Sequence, residues 1–113
     1  FNRKTKKVNI QTTTLDKYFE GKSLKGRIFL KIDTQGSENL ILKGGKNFLK
    51  KVSIIQVETP FDSFYRNQGY FENIYDFLKK AGFKYMGESR EAQFYPIFGL
   101  PTGFNSIFIN KNI

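Results

Sequence analysis

The sequence predicts an α/β domain built on a mostly parallel sheet with an antiparallel terminal strand. Three features predict it. Short apolar runs alternate with helical stretches over most of the chain. Ile74, Phe77, Leu78 and Ala81 recur at helical spacing within residues 70–81. The last apolar run, 104–109, follows a long loop with no helical pattern, so its strand returns antiparallel to its neighbour. With 113 residues the chain makes one small domain.

Each element has a local cause. Residues 1–7, "FNRKTKK", form a basic lead-in. Val8 and Ile10 alternate with Asn9 and Gln11, which predicts a short strand over 7–13. Thr13 and Thr14 offer N-cap hydroxyls for a helix over 15–20, Asp16 suits its dipole, and Gly21 stops it. The run 28–32 is too short for a helix and rich in β-branched and aromatic residues, so it predicts a strand. Residues 37–50 predict a helix with a weak point at Gly44-Gly45. "VSIIQV", 52–57, predicts a second strand running into Glu58 and stopped by Thr59-Pro60, since proline cannot donate to the ladder. Then come a loop through "FDSFYRNQG", a helix over 70–81 closed by Gly82, a strand over 83–87, a loop over 88–102 and a strand over 104–109.

Composition excludes several chemistries. The chain holds no Cys and no His, which rules out disulfides, thiolate chemistry and imidazole-assisted nucleophiles. Acid–base work falls to carboxylates, Lys or Tyr. The 13 Phe and 6 Tyr supply core material. No apolar stretch is long enough to span a bilayer and no secretory signal opens the chain, so a cytoplasmic protein is expected. The chain starts on Phe, as a processed product or a piece of a longer protein does. Its net charge of +9 comes mostly from Lys, which reads as a solvated surface before it reads as a nucleic-acid footprint.

The stretch "FLKIDTQGSE" carries the functional signal. Open parallel sheets bind ligands just beyond the carboxyl ends of their strands. Asp33 stands at one such end and Glu58 at the next, so neighbouring strands would aim both carboxylates into one crevice. Gly36 permits the sharp turn between strand and helix. Capping by Asp33, Ser37 and Glu38 explains one or two acidic residues there and leaves Glu58 unexplained. Asp33 is the first candidate for a base, Glu58 the second, with Gln35 and Glu38 orienting an acceptor or supporting Asp33. Tyr65, in the loop after Glu58, is a candidate for positioning a substrate, against the plainer reading that aromatics in such a loop seal a core edge. The three carboxylates also suit a divalent cation; with no other ligand cluster in the chain, no metal is expected.

"DTQGSE" also resembles the D-x-x-G-x-E stretch of GTP-binding proteins. "GGKN" at 44–47 lacks the glycine spacing and the hydroxyl of a phosphate-cradling loop, so that likeness fails.

Three linked signatures resemble the carboxyl-terminal half of FkbM-type methyltransferases: T-L-D at Thr14–Asp16, L-K-I-D-x-Q-G-x-E at Leu30–Glu38 with Leu42, Lys43 and Gly44, and Q-V-E at Gln56–Glu58. Tyr65, Gln68 and Gly82-Phe83 follow them. The resemblance implies a Rossmann-like class I methyltransferase fold whose fourth and fifth strands are 28–33 and 53–58. It implies S-adenosylmethionine as cofactor and a small hydroxylated molecule or glycan as methyl acceptor, with no nucleic acid. The family's glycine-rich cofactor loop and ribose-holding acid lie in an amino-terminal half that precedes Phe1, so the cofactor-binding residues are unknown in this chain. The 113 residues alone are therefore expected to be inactive. The competing expectation is a non-catalytic basic α/β module that binds an anionic partner.

Overall fold

The run at 28–32 forms β1, Phe29–Ile32, and "VSIIQV" forms β2, Ile54–Pro60. They pair in parallel, Phe29 beside Ile54 and Ile32 beside Val57. The computed structural model describes residues 4–60, 71–94 and 101–113. A ten-residue helix, Phe71–Lys80, leads from this pair to strand β3, Phe83–Phe94, which turns back into β4, Pro101–Asn110. The four strands make one sheet in the order β1-β2-β4-β3. β4 is antiparallel to both neighbours, with Phe108 between Ile55 and Tyr85.

The antiparallel return of the last strand is as expected, but the sheet is mixed and not mostly parallel: one pair is parallel and two are antiparallel. β2 and β3 do run the same way, as a strand–helix–strand unit requires. β4 inserts between them and takes the ladder hydrogen bonds that a parallel pair would have used.

The three helices, in chain order, are α1 (Leu15–Phe19), α2 (Glu38–Lys43) and α3 (Phe71–Lys80). α3 lays Ile74 and Leu78, one turn apart, on a sheet face that buries Ile32, Ile55, Val57, Phe83 and Phe108. Leu42, Phe48, Leu49 and Val52 complete that core. Burying each large side chain stabilises the fold by about 1.5–3 kcal/mol. On the other face the neighbouring Phe29 and Ile54 remain 57% and 38% exposed.

The helix expected over 37–50 is two pieces, α2 and a 3₁₀ turn at Phe48–Lys51, parted at Gly44-Gly45. The reason is close approach: a Cβ on Gly45 would lie 2.9 Å from Leu15 Cδ1. Thr14 caps α1 through its hydroxyl, as expected. Asp16 stands in the first turn of α1, as expected, and also serves the 3₁₀ turn. Its carboxylate accepts from the backbone N–H of Asn47 at 3.1 Å and of Phe48 at 2.7 Å. Phe19 stacks on Phe48 with centroids 4.3 Å apart.

Residues 7–13 form no strand; Val8 and Ile10 are 69% and 77% exposed. Alternation sets a face, but a strand also needs a ladder partner, and no described strand pairs with this segment. β3 and β4 run longer than expected, because residues 88–94 pair with β4 where a loop was read. That segment is polar and lacks alternation, and its ladder comes from the hairpin partner. No described helix is long and apolar enough to cross a membrane.

Candidate active site

The register that sets Ile32 beside Val57 brings the next residues, Asp33 and Glu58, side by side where β1 ends. Adjacent strands lie about 4.8 Å apart. One carboxylate oxygen each from Asp33, Glu38 and Glu58 lies within 4.8 Å of the others. The two carboxylates do share one mouth, and Glu38 joins them, but Glu58 stands inside β2: Thr59 and Pro60, expected to stop the strand, continue its pairing with β4.

The three differ in what surrounds them. Glu38 is 1% exposed and sits inside the turn that precedes its own helix. Its Oε1 accepts from the backbone N–H of Thr34 and its Oε2 from that of Gly36, both at 3.0 Å. A carboxylate accepting two backbone N–H groups is a strong charge-assisted brace. Ser37 occupies the N-cap position without making a side-chain cap bond, so Glu38 is what holds this helix entry. The turn contains Gly36 at φ 121° and Gln35 at φ 57°. Glycine adopts such angles freely, whereas a residue with a Cβ pays about 1–3 kcal/mol for a sparsely populated conformation, strain that clusters at working sites.

That conformation has a use: Gln35 Nε2 donates to Asp33 Oδ1 at 3.1 Å. Asp33 is exposed, so it is the carboxylate of the three that a solute reaches directly. Glu58 is 6% exposed, within the sheet. Behind it the fully buried Thr59 hydroxyl donates to the Phe104 carbonyl and is bonded to the Ser106 hydroxyl of β4. Sequence reading took Thr59 only as a strand stop and passed over Ser106. A buried hydroxyl pair across two strands leaves no mark in either strand alone.

Tyr65 lies outside the described residues, with Gln68, Tyr70 and the rest of the loop 61–70. The aromatic segment 95–100 lies outside them as well.

The arrangement can do two things chemically. An exposed carboxylate braced by an amide and backed by two buried carboxylates can accept a hydrogen bond, and then a proton, from a hydroxyl. Three oxygen donors this close can also hold a hard divalent cation, which prefers oxygen ligands. A glycine-rich G-x-G-x-x-G turn follows neither β1 nor β2.

Residues 2–85 match the family model of the methyltransferase FkbM domain. That span contains the T-L-D segment, the turn after β1 and all three carboxylates. No curated protein and no solved structure matches the chain significantly.

Proposed function

The chain belongs to the FkbM methyltransferase family, and on that premise we propose that it is the acceptor-side, carboxyl-terminal portion of an S-adenosylmethionine-dependent enzyme that O-methylates a sugar or other small hydroxylated compound. In this reading β1 and β2 are the central strands of a Rossmann-like sheet, and β3 and β4 close its edge. One observation carries the reading: the exposed Asp33, just past the end of β1, stands within 4.8 Å of the buried carboxylates of Glu58, in the parallel strand β2, and Glu38, at the start of α2.

S-adenosylmethionine supplies a methyl group on a cationic sulfonium. The residues present suit its charge, since three carboxyl groups converge at the mouth and Asp33 among them faces water. Its adenosyl end has no glycine-rich counterpart after β1 or β2. This chain's residues therefore act on the acceptor. With Gln35 occupying Oδ1, Asp33 has Oδ2 open toward an acceptor hydroxyl. A hydrogen bond there fixes the direction of the oxygen's lone pair, and such positioning can lower a barrier by about 7–11 kcal/mol. Taking the proton at the same atom contributes about 10²–10⁴ in rate. Glu38 keeps Asp33 in place by holding the turn, so it is a positioning residue.

The test uses the full-length product of the reading frame that encodes this chain, with labelled cofactor and a panel of hydroxylated sugars. Asp33→Asn should lower turnover about 10²–10⁴-fold and leave cofactor affinity within a few-fold. Equal loss of turnover and of cofactor affinity would remove Asp33 from the acceptor side. The competing reading, a non-catalytic basic module, holds if that product binds no cofactor yet binds polyanions in a salt-sensitive way.

A further inference from the structure

The lysines of this chain are not spread evenly. A depression of about 370 Å³ is lined by Lys46, Lys50 and Lys80 around Phe77 and Ala81. A second, of about 310 Å³, is lined by Lys79, Lys84 and Lys111 with Tyr75 and Tyr85. Lys79 and Lys80 are consecutive in the last turn of α3, so the two depressions adjoin. All six lysines are exposed, and no carboxylate lines either depression. On α3 itself Glu72 and Asp76 are acidic and exposed, and neither reaches the lining.

A helix carboxyl terminus attracts cations, which accounts for Lys79 and Lys80. It does not account for the other four, which come from the turn after α2, the 3₁₀ turn, the start of β3 and the end of β4. β2 starts at this end of the sheet and carries Glu58 toward the other. The four residue steps from Ile54 to Glu58, at about 3.3 Å each, separate the start of β2 from the carboxylate mouth by roughly 13 Å. The chain is thus polar in charge, basic at one end of the sheet and acidic at the other.

We propose that this lysine end docks the protein on an anionic bilayer surface, leaving the carboxylate mouth open to water on the far side. Lysine ammoniums on flexible stems act as point charges suited to the diffuse field of anionic headgroups. None of the six is Arg, whose fork would grip individual phosphates of a nucleic acid in pairs. Tyr75 and Tyr85 are half-buried at the rim of the second depression. Amphipathic rings next to lysines suit the boundary between headgroups and acyl chains. Lys79 Nζ lies 5.9 Å from the Tyr75 ring centroid, so one of these charges is already held at the rim.

The experiment is co-sedimentation of the full chain with vesicles of phosphatidylcholine alone or with about one quarter phosphatidylserine. Binding should require phosphatidylserine and weaken steeply as salt rises from about 50 to about 500 mM. The triple variant Lys46→Gln, Lys50→Gln, Lys80→Gln should bind about 100-fold more weakly, at about fivefold per lysine near the surface. The triple variant Lys79→Gln, Lys84→Gln, Lys111→Gln should lose a similar amount. A control of equal charge change in the lead-in, Lys4→Gln, Lys6→Gln, Lys7→Gln, should stay within a few-fold of the parent. Circular dichroism keeps the comparison to folded variants. The proposal is overturned if the chain ignores phosphatidylserine, if the lead-in control loses as much as both patch variants, or if a DNA duplex binds more tightly than the vesicles at equal salt.

Discussion

Glu38→Gln separates bracing the turn from contacting an acceptor. In the parent both Glu38 oxygens accept backbone N–H groups at 3.0 Å, from Thr34 and Gly36. A glutamine keeps one acceptor and turns an NH₂ toward the other amide, so one charge-assisted bond is lost and one donor is left facing a donor. A hydrogen bond to a charged group is worth about 1.5–3 kcal/mol, and a buried orphaned group costs about 1–3 kcal/mol more. Removing a charge within 4.8 Å of both Asp33 and Glu58 relieves repulsion. Toward the water-facing Asp33 that relief is about 1 kcal/mol, and toward the buried Glu58 it is at most about 3 kcal/mol. The losses win narrowly, with a net destabilisation of about 1–2 kcal/mol. Urea unfolding followed by far-ultraviolet circular dichroism should show this as a lower midpoint at unchanged slope, and melting should fall by about 3–8 °C. Asp33→Asn, at an exposed position, should stay within about 0.5 kcal/mol of the parent. If Glu38→Gln unfolds like the parent while methyl transfer collapses, Glu38 touches the acceptor and the bracing argument fails.

The same measurements check three further expectations. Asp16→Ala removes two backbone N–H acceptors from the start of the 3₁₀ turn and should cost about 1–2 kcal/mol, with Asp16→Asn recovering part of it. Gly103→Ala should cost more than about 2 kcal/mol, since its Cβ would lie 2.8 Å from Pro60 Cα and from the Thr59 carbonyl oxygen, both backbone atoms that cannot swing aside. The Tyr85 phenol is held above its usual 10.0, first by burial and then by its hydrogen bond to Glu88 and that carboxylate's charge, with Ser106 pulling the other way. A raised folded pKa means the stabilisation is whole below pH 10 and is lost as pH rises through the folded value. The parent should therefore lose more stability than Tyr85→Phe between about pH 9 and about pH 11, and the difference in tyrosinate absorbance between the two proteins should show the Tyr85 ring titrating late.

Much of the site was legible locally. Asp33 and Glu58 each end an apolar run, and in a parallel α/β order that position faces a crevice. Gly36 marked the turn. The role of Glu38 was half legible: its place in the first turn of a helix was clear, but not that its carboxylate reaches back to two amides. That depends on Gln35 taking a left-handed conformation, which no propensity assigns to glutamine.

What the sequence determined alone is what period and chain adjacency encode: β1, β2 and α3, the face of α3 that carries Ile74 and Leu78, and two carboxylates placed after apolar runs. What the tertiary structure decided is who partners whom. Residues 7–13 alternate correctly and stay unpaired, while the patternless 88–94 becomes strand because β4 lies alongside it. β4 enters between β2 and β3 and makes the sheet mixed, Asp16 caps a turn 31 residues away, and lysines from separate segments meet at one end. Periodicity fixes which way a side chain points within one element. Ladder hydrogen bonds and charge clusters form between elements, so they exist only once the chain has closed on itself.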